Sequence, residues 1–289
     1  MTAGILLQSF IILLSLGVVS TQAETWTEAG DKAFDAGQFR QAAAAFEKAL
    51  AEFESVGTPP RELMSLHITL ATAYLEAGEL REAERVLQEA QKIELTQTDE
   101  LARASLLNSW GALHLIQSKV RDAESEFQAA LQIISHRPKR EEIGATLLNN
   151  LAAIEILIGR TAEGLGHARE ALGLWEELAG AESPSLIRTW SISASAQFIS
   201  GQTQDAHHSL ERAISIAQKA YGPTNSLVGD LLVSDAFVLD RLKRKKEAKI
   251  ARQQARRILG PDRPKGFDAH TWDIRNALVP NGSVVLQAK

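Results

Sequence analysis

Residues 65–93, SLHITLATAYLEAGELREAERVLQEAQKI, decide how this chain folds. Two helical patterns flank a turn at Gly78. Leu66, Leu70, Ala71 and Tyr74 mark one face of the first helix; Val86, Leu87, Ala90 and Ile93 mark one face of the second. Steps of three and four residues are those of a half-buried helix. A lone hairpin cannot cover both of its apolar faces, so it needs neighbours of the same kind.

The chain supplies them. The small residue that opens each second helix recurs as Ala42, Ala83, Ala123, Gly164, Ala206 and Ala248, at intervals of 41, 40, 41, 42 and 42 residues. Five residues earlier stands the turn glycine: Gly37, Gly78, Gly159 and Gly201, with Ser118 and Lys243 in the other two copies. A left-handed residue commonly ends a helix at such a place, so serine and lysine there should strain the turn slightly without abolishing it. Seven residues before the turn residue comes a small side chain: Gly30, Ala71, Gly111, Ala152, Ala194 or Ala236. Nine after it comes a bulky apolar one, Phe46, Leu87, Phe127 or Leu210, with Ala168 and Arg252 as exceptions. Small facing large at fixed steps is how paired helices interdigitate.

This pattern resembles the tetratricopeptide repeat, over about residues 24–259. The first copy shows it in register through Trp26, Gly30, Gly37, Phe39, Ala42, Phe46 and Ala49. A period near 42 is longer than the family's usual repeat and, with the segment Leu147-Leu148-Asn149-Asn150-Leu151-Ala152, is similar to the kinesin-light-chain type. The resemblance implies an all-α, right-handed superhelical solenoid of about six hairpins whose first helices line a concave surface. Extended peptides or partner helices occupy such surfaces.

First helices are predicted near 26–36, 60–77, 101–117, 140–158, 184–200 and 225–242. Second helices are predicted near 39–54, 80–94, 120–135, 161–178, 203–220 and 245–259. Thr58 before Pro59 and Ser183 before Pro184 are read as capping hydroxyls ahead of a first-turn proline.

Residues 5–19, ILLQSFIILLSLGVV, form an apolar run too short for a membrane span of about 20 residues. Small side chains at Thr21-Gln22-Ala23 then precede Glu24, so residues 1–23 read as a secretory signal peptide, or as an anchor if uncleaved. Residues 1–23 hold no lysine or arginine, which weakens the signal and keeps the anchor open. Residues 260–289 contain Pro261, Pro264, Pro280 and Gly282 and no helical repeat, and read as a tail that is either partly disordered or docked on the last hairpin through Phe267, Trp272 and Ile274.

The chain has no cysteine, which removes disulfides, thiolate metal sites and cysteine nucleophiles together. Its seven histidines form no ligand set, and no HExxH, phosphate-binding glycine loop or GxSxG occurs, so no metal, cofactor or catalytic residue is expected. The five tryptophans read as packing residues.

Two groups stand out as departures from the repeat. Asn108, Asn149 and Asn150 lie midway along first helices. In the resembled family, asparagines so placed hold a bound peptide's backbone, an amide being both donor and acceptor. The second group is RLKRKKEAKIARQQARR at residues 241–257, nine basic residues and one acid. Its patch comprises Arg241, Lys243, Arg244, Lys245, Lys246 and Lys249. Arg252 and Arg256 replace the apolar residues of earlier copies, as a last repeat's uncovered face requires. Charge is uneven: residues 24–135 hold 10 basic and 19 acidic groups (−9), residues 136–289 hold 21 and 17 (+4). An acidic chain without aromatics in its basic patch argues against nucleic acid. The sequence thus points to an exported, periplasmic or extracellular, non-enzymatic scaffold for a protein or peptide. The alternative is an envelope-assembly factor meeting a membrane or partner through helix 241–257.

Overall fold

Twelve α-helices and no strand make up the described residues of the computed structural model, 21–94, 99–137 and 142–260. They are α1 (Thr21–Asp35), α2 (Phe39–Ser55), α3 (Pro60–Glu76), α4 (Leu80–Glu94), α5 (Glu100–Ile116) and α6 (Val120–Ile133). The rest are α7 (Glu142–Leu157), α8 (Thr161–Ala179), α9 (Leu186–Ile199), α10 (Thr203–Tyr221), α11 (Ser226–Arg241) and α12 (Lys245–Leu259). The chain forms two compact units, Met1–Pro138 and Lys139–Lys289, with three hairpins in each. The apolar run at 5–19 and the tail from 261 lie outside the described residues.

The same turn closes all six hairpins. In the first, Gly37 N–H donates to the Phe34 carbonyl at 2.9 Å and Gln38 N–H to the Ala33 carbonyl at 2.8 Å. This is the paired bonding of a Schellman motif, which needs a left-handed residue at the corner. Its partners recur in every hairpin; in the third, Ser118 N–H reaches Leu115 O at 3.0 Å and Lys119 N–H reaches His114 O at 2.8 Å. Ser118 and Lys243 accordingly sit at φ of 63° and 61°, against 72° to 84° for the four glycines. Both non-glycine corners are thus left-handed, at a cost of about 1 kcal/mol each.

Side chains lock the two helices of a hairpin together. A Cβ built on Gly30 would lie 2.4 Å from the Phe46 ring, and one on Gly111 2.4 Å from the Phe127 ring. Both rings are 0% exposed, so glycine is the only residue that fits opposite them. The fourth hairpin carries alanine on both sides, Ala152 and Ala168, and there the backbones close in instead. A Cβ on Gly164 would stand 2.8 Å from the Ala152 carbonyl oxygen. The sixth has Arg252 in the bulky place; its side chain is 52% exposed and pairs with Asp240.

Within each unit the second helix of one hairpin packs on the first helix of the next, as α2 on α3 and α10 on α11, and first helices also meet, as α3 with α5 and α7 with α9. In unit one a continuous core runs through Phe46, Met64, Leu70, Leu87, Leu106 and Leu113. In unit two Leu147, Leu151, Ile154, Leu186, Ile187 and Ile192 are the most completely buried large side chains.

Boundaries differ from expectation in two places. Helix α1 starts at Thr21, five residues early, with Ala23 fully buried and its carbonyl accepting from Thr27 Oγ1 at 3.0 Å. The expected cleavage point after Ala23 therefore falls inside a helix. Thr58 does not cap its helix, since Pro59 holds the capping position without a side-chain bond, whereas the Ser183 Oγ accepts from Ser185 N–H at 3.3 Å across Pro184, ahead of the helix that begins at Leu186. Asp99 and Asn225 do cap α5 and α11: Asp99 accepts from Leu101 N–H at 3.0 Å and Asn225 from Leu227 N–H at 2.9 Å.

Gly111→Ala forces a methyl group against Phe127 and should destabilise the chain by about 1–3 kcal/mol. Adding Phe127→Leu should recover most of that loss, because hairpins two and five carry alanine with leucine at these places (Ala71 and Leu87, Ala194 and Leu210). Denaturant midpoints of the single and double variants check this; an equal loss in both would contradict the lock.

Candidate binding surfaces

The asparagines singled out in the sequence are not equivalent. Asn150, nine residues before its turn glycine, is 5% exposed, and its Oδ1 accepts from the Arg188 Nη2 at 2.8 Å. Arg188 lies thirteen residues before the next turn glycine, on α9, so the repeat register sets an amide on one first helix beside a guanidinium on its neighbour. Asn149 is 4% exposed with Oδ1 lacking a partner, and it points into the body of the unit. Asn108 is half-buried on α5. Further along first helices of unit two, the Phe198 and Phe237 rings pack tilted at 49° with centres 5.3 Å apart, and the Arg241 guanidinium lies 5.8 Å from the Phe198 ring. Sequence reading passed over Arg188; a signal was present in its separation of 38 residues from Asn150, one period less one helical turn.

Helix α12 buries only Ala248, Ala251 and Ala255. That leaves Lys245, Lys246 and Lys249 exposed, along with Arg241 and Lys243 just before it and Arg256 and Arg257 near its end. Arg244 is half-buried and tied to Glu247 at 2.5 Å. The structure therefore brings the expected patch together as one cationic face, and places Arg252 at its edge.

Three of the histidines hold helices together. Four residues before the turn and eight after it, the middle hairpins hold a polar pair between their helices: His114 with Glu126 at 2.9 Å, Glu155 with His167 at 2.7 Å, and Gln197 with Ser209 at 2.7 Å. His207 joins neighbouring hairpins through Asp235 at 2.5 Å, while adjacent His208 points outward, 71% exposed. Burial pushes the Asp235 carboxyl up, and the His207 bond works against it. Among the described residues no cluster of three or more such side chains is placed to hold a metal ion.

Two sequence-family models match the chain, both of the tetratricopeptide repeat, over residues 144–219 and 11–64. Over those segments the chain is similar to tetratricopeptide repeats. Solved structures agree on the all-α repeat solenoid. BtubC (BKLC) from P. vanneervenii is 18% identical with a TM-score of 0.60, over 85% of this chain and 96% of that one. A putative kinesin light chain from Podosopora anserina, with nearly identical TPR-like repeats, is 17% identical with a TM-score of 0.51, over 70% of this chain and 98% of that one. A Rap protein complexed with Competence and Sporulation Factor is 16% identical with a TM-score of 0.62, over 83% of this chain and 66% of that one. At such identities the likeness is one of fold. No curated protein matches this sequence.

The first tetratricopeptide hairpin also carries an acidic first helix, with Glu24, Glu28, Asp31 and Asp35 spaced along one side of α1. Asp31 is partly buried and its Oδ1 has no hydrogen-bond partner. Burial first, then Asp35 and Glu28, raise its carboxyl from 3.8 to about 6. The folded chain thus holds this proton more tightly than the unfolded one, so Asp31 lowers stability as pH rises from about 4 to 6. Asp31→Asn should raise the melting temperature at pH 7 and leave it nearly unchanged at pH 3.5. Equal effects at both pH values would show that Asp31 is not the source.

Proposed function

We propose that this chain is an exported, non-enzymatic scaffold that holds an extended protein or peptide segment against the first-helix face of its tetratricopeptide repeats. The observation that carries the reading is the Asn150–Arg188 contact, which sets an amide and a guanidinium from adjacent first helices on one side of unit two. The buried amide oxygen holds the half-buried Arg188 guanidinium in place, and that guanidinium offers a fixed fork of donors to the carbonyls of a bound segment. Arg241, exposed at the end of α11, adds a second cation held beside the Phe198 ring. Support also comes from the Rap protein of the same fold, which was solved complexed with Competence and Sporulation Factor. The apolar run at residues 5–19 followed by small side chains before Glu24 supports export. Cleavage after Ala23 leaves α1 shorter by part of a turn and removes the carbonyl that Thr27 holds.

The cationic face of α12 supports a second reading, contact with an acidic partner or anionic lipid. One experiment separates the two. Cross-linked partners are recovered from the native host with the wild-type chain, with N150A/R188A, and with K245E/K246E/K249E. The groove reading expects at least a tenfold loss of recovery for N150A/R188A, with helical content kept and the charge reversal harmless. Loss confined to the charge reversal would move the binding surface to α12. The same purified protein, sequenced from its N-terminus, should begin at Glu24 if the leader is removed.

A further inference from the structure

Eleven residues before each turn residue the six hairpins carry Trp26, His67, Leu107, Leu148, Trp190 and Leu232. The slot faces the hairpin's own second helix, two residues from the Asn150 register and so on another side of the first helix. In the first hairpin its occupant is an indole: Trp26 packs on the core of unit one, and the Lys48 ammonium, eleven residues after Gly37, lies 4.2 Å from the ring centre. In the second hairpin the occupant is the smaller, polar His67, and Glu89 takes the place of Lys48.

A groove of about 380 Å³ opens at that slot, between the end of α2, the first half of α3 and the second half of α4. Its walls include Glu54, Leu63, His67, Glu89, Lys92 and Ile93. His67 is 6% exposed, yet its Nδ1 has no hydrogen-bond partner. Burial holds this imidazole below the usual histidine range, so it is neutral at pH 7. With its proton on Nε2, a neutral ring accepts at Nδ1, and indole N–H and phenol O–H are donors that bring an apolar body with them. Glu89 pairs with Lys92 at 2.7 Å, and Glu54 is exposed without an ion-pair partner among the described residues, so the rim is net negative. Residues 24–135, which contain it, carry a net −9.

We propose that this groove is a binding site for an aromatic side chain within a basic segment of a partner protein, which takes the place that the indole holds in the first and fifth hairpins. Leu63 and Ile93 supply the apolar contact, His67 the acceptor, and Glu54 and Glu89 the attraction for the flanking cations. The site lies in unit one and goes beyond the reading placed on Asn150 and Arg188, so either can fail without the other.

The test is an NMR titration of the full chain with the peptide N-acetyl-Lys-Trp-Lys-amide. Saturable binding is expected, at least tenfold tighter than that of N-acetyl-Lys-Leu-Lys-amide. His67→Trp should fold, because Trp26 and Trp190 occupy the same slot in sister hairpins, and should weaken the tryptophan peptide at least tenfold by filling the groove. Circular dichroism verifies its fold. Unchanged affinity in H67W, equal affinity for the two peptides, or no saturable binding to the wild type would each overturn the proposal. Binding that strengthens tenfold in W272A would also overturn it, since the chain's own tryptophan would then be the occupant.

Discussion

Six times along the described residues a helix must reverse direction within three residues, and two backbone hydrogen bonds with one left-handed corner do it each time. At every corner the residue after it closes the first helix through its N–H and opens the second through its carbonyl: Gln38 N–H bonds Ala33 O and Gln38 O accepts from Ala42 N–H, and Arg244 does the same with Leu239 and Ala248. One residue thus serves as the end of one helix and the start of the next. None of Gln38, Lys119, Arg160, Gln202 or Arg244 adds a side-chain cap, so the backbone alone sets the angle at which these helices meet. With that angle fixed, the residues seven before and nine after the corner must fit one another. Phe46 over Gly30 and Phe127 over Gly111 follow from it, as does the closer approach where Ala152 faces Ala168.

A shared frame with changing side chains explains why the hairpins differ in chemistry while matching in shape. The slot that holds His114 with Glu126 in one hairpin holds Glu155 with His167 in the next, imidazole and carboxylate exchanged between helices. Such pairs satisfy buried polar groups at similar cost and mark individual interfaces without altering the stack. The end of the chain's last hairpin follows the same logic in reverse. Alanines meet the core and the charges on α12 turn outward, because no further hairpin among the described residues covers that face.

Most of the fold was legible because it is a period, and a period is read from positions that only packing constrains. The turn positions, the small and large residues and all twelve helices follow from spacings near 41 residues. Helix ends were less legible: Thr58 caps nothing although it precedes Pro59, while Asp99 caps α5 with no proline beside it, since capping depends on backbone angles rather than on the nearest hydroxyl. The start of α1 was misplaced because residues 21–23 read as the end of a leader, whereas Ala23 carries the buried face of the helix one turn further back. Sites were harder still. Asn150 was visible as a departure from the repeat, but its partner Arg188 is polar on a polar face and stands out only once the register of two first helices is compared. Asn149, its neighbour in sequence and just as buried, points about a quarter-turn away and leaves its Oδ1 without a partner, a distinction that adjacency hides.

Amide hydrogen exchange, resolved by residue, tests the common turn most directly. The N–H groups of Gln38, Glu79, Lys119, Arg160, Gln202 and Arg244 each bond the carbonyl five residues back, at 2.7 to 2.9 Å. All six should exchange as slowly as amides in the middle of their own hairpin's helices, including Lys119 and Arg244, whose corners are serine and lysine. Exchange of Lys119 and Arg244 at the rate of an unstructured chain, with the other four protected, would contradict a turn set by the backbone and show that glycine itself is required.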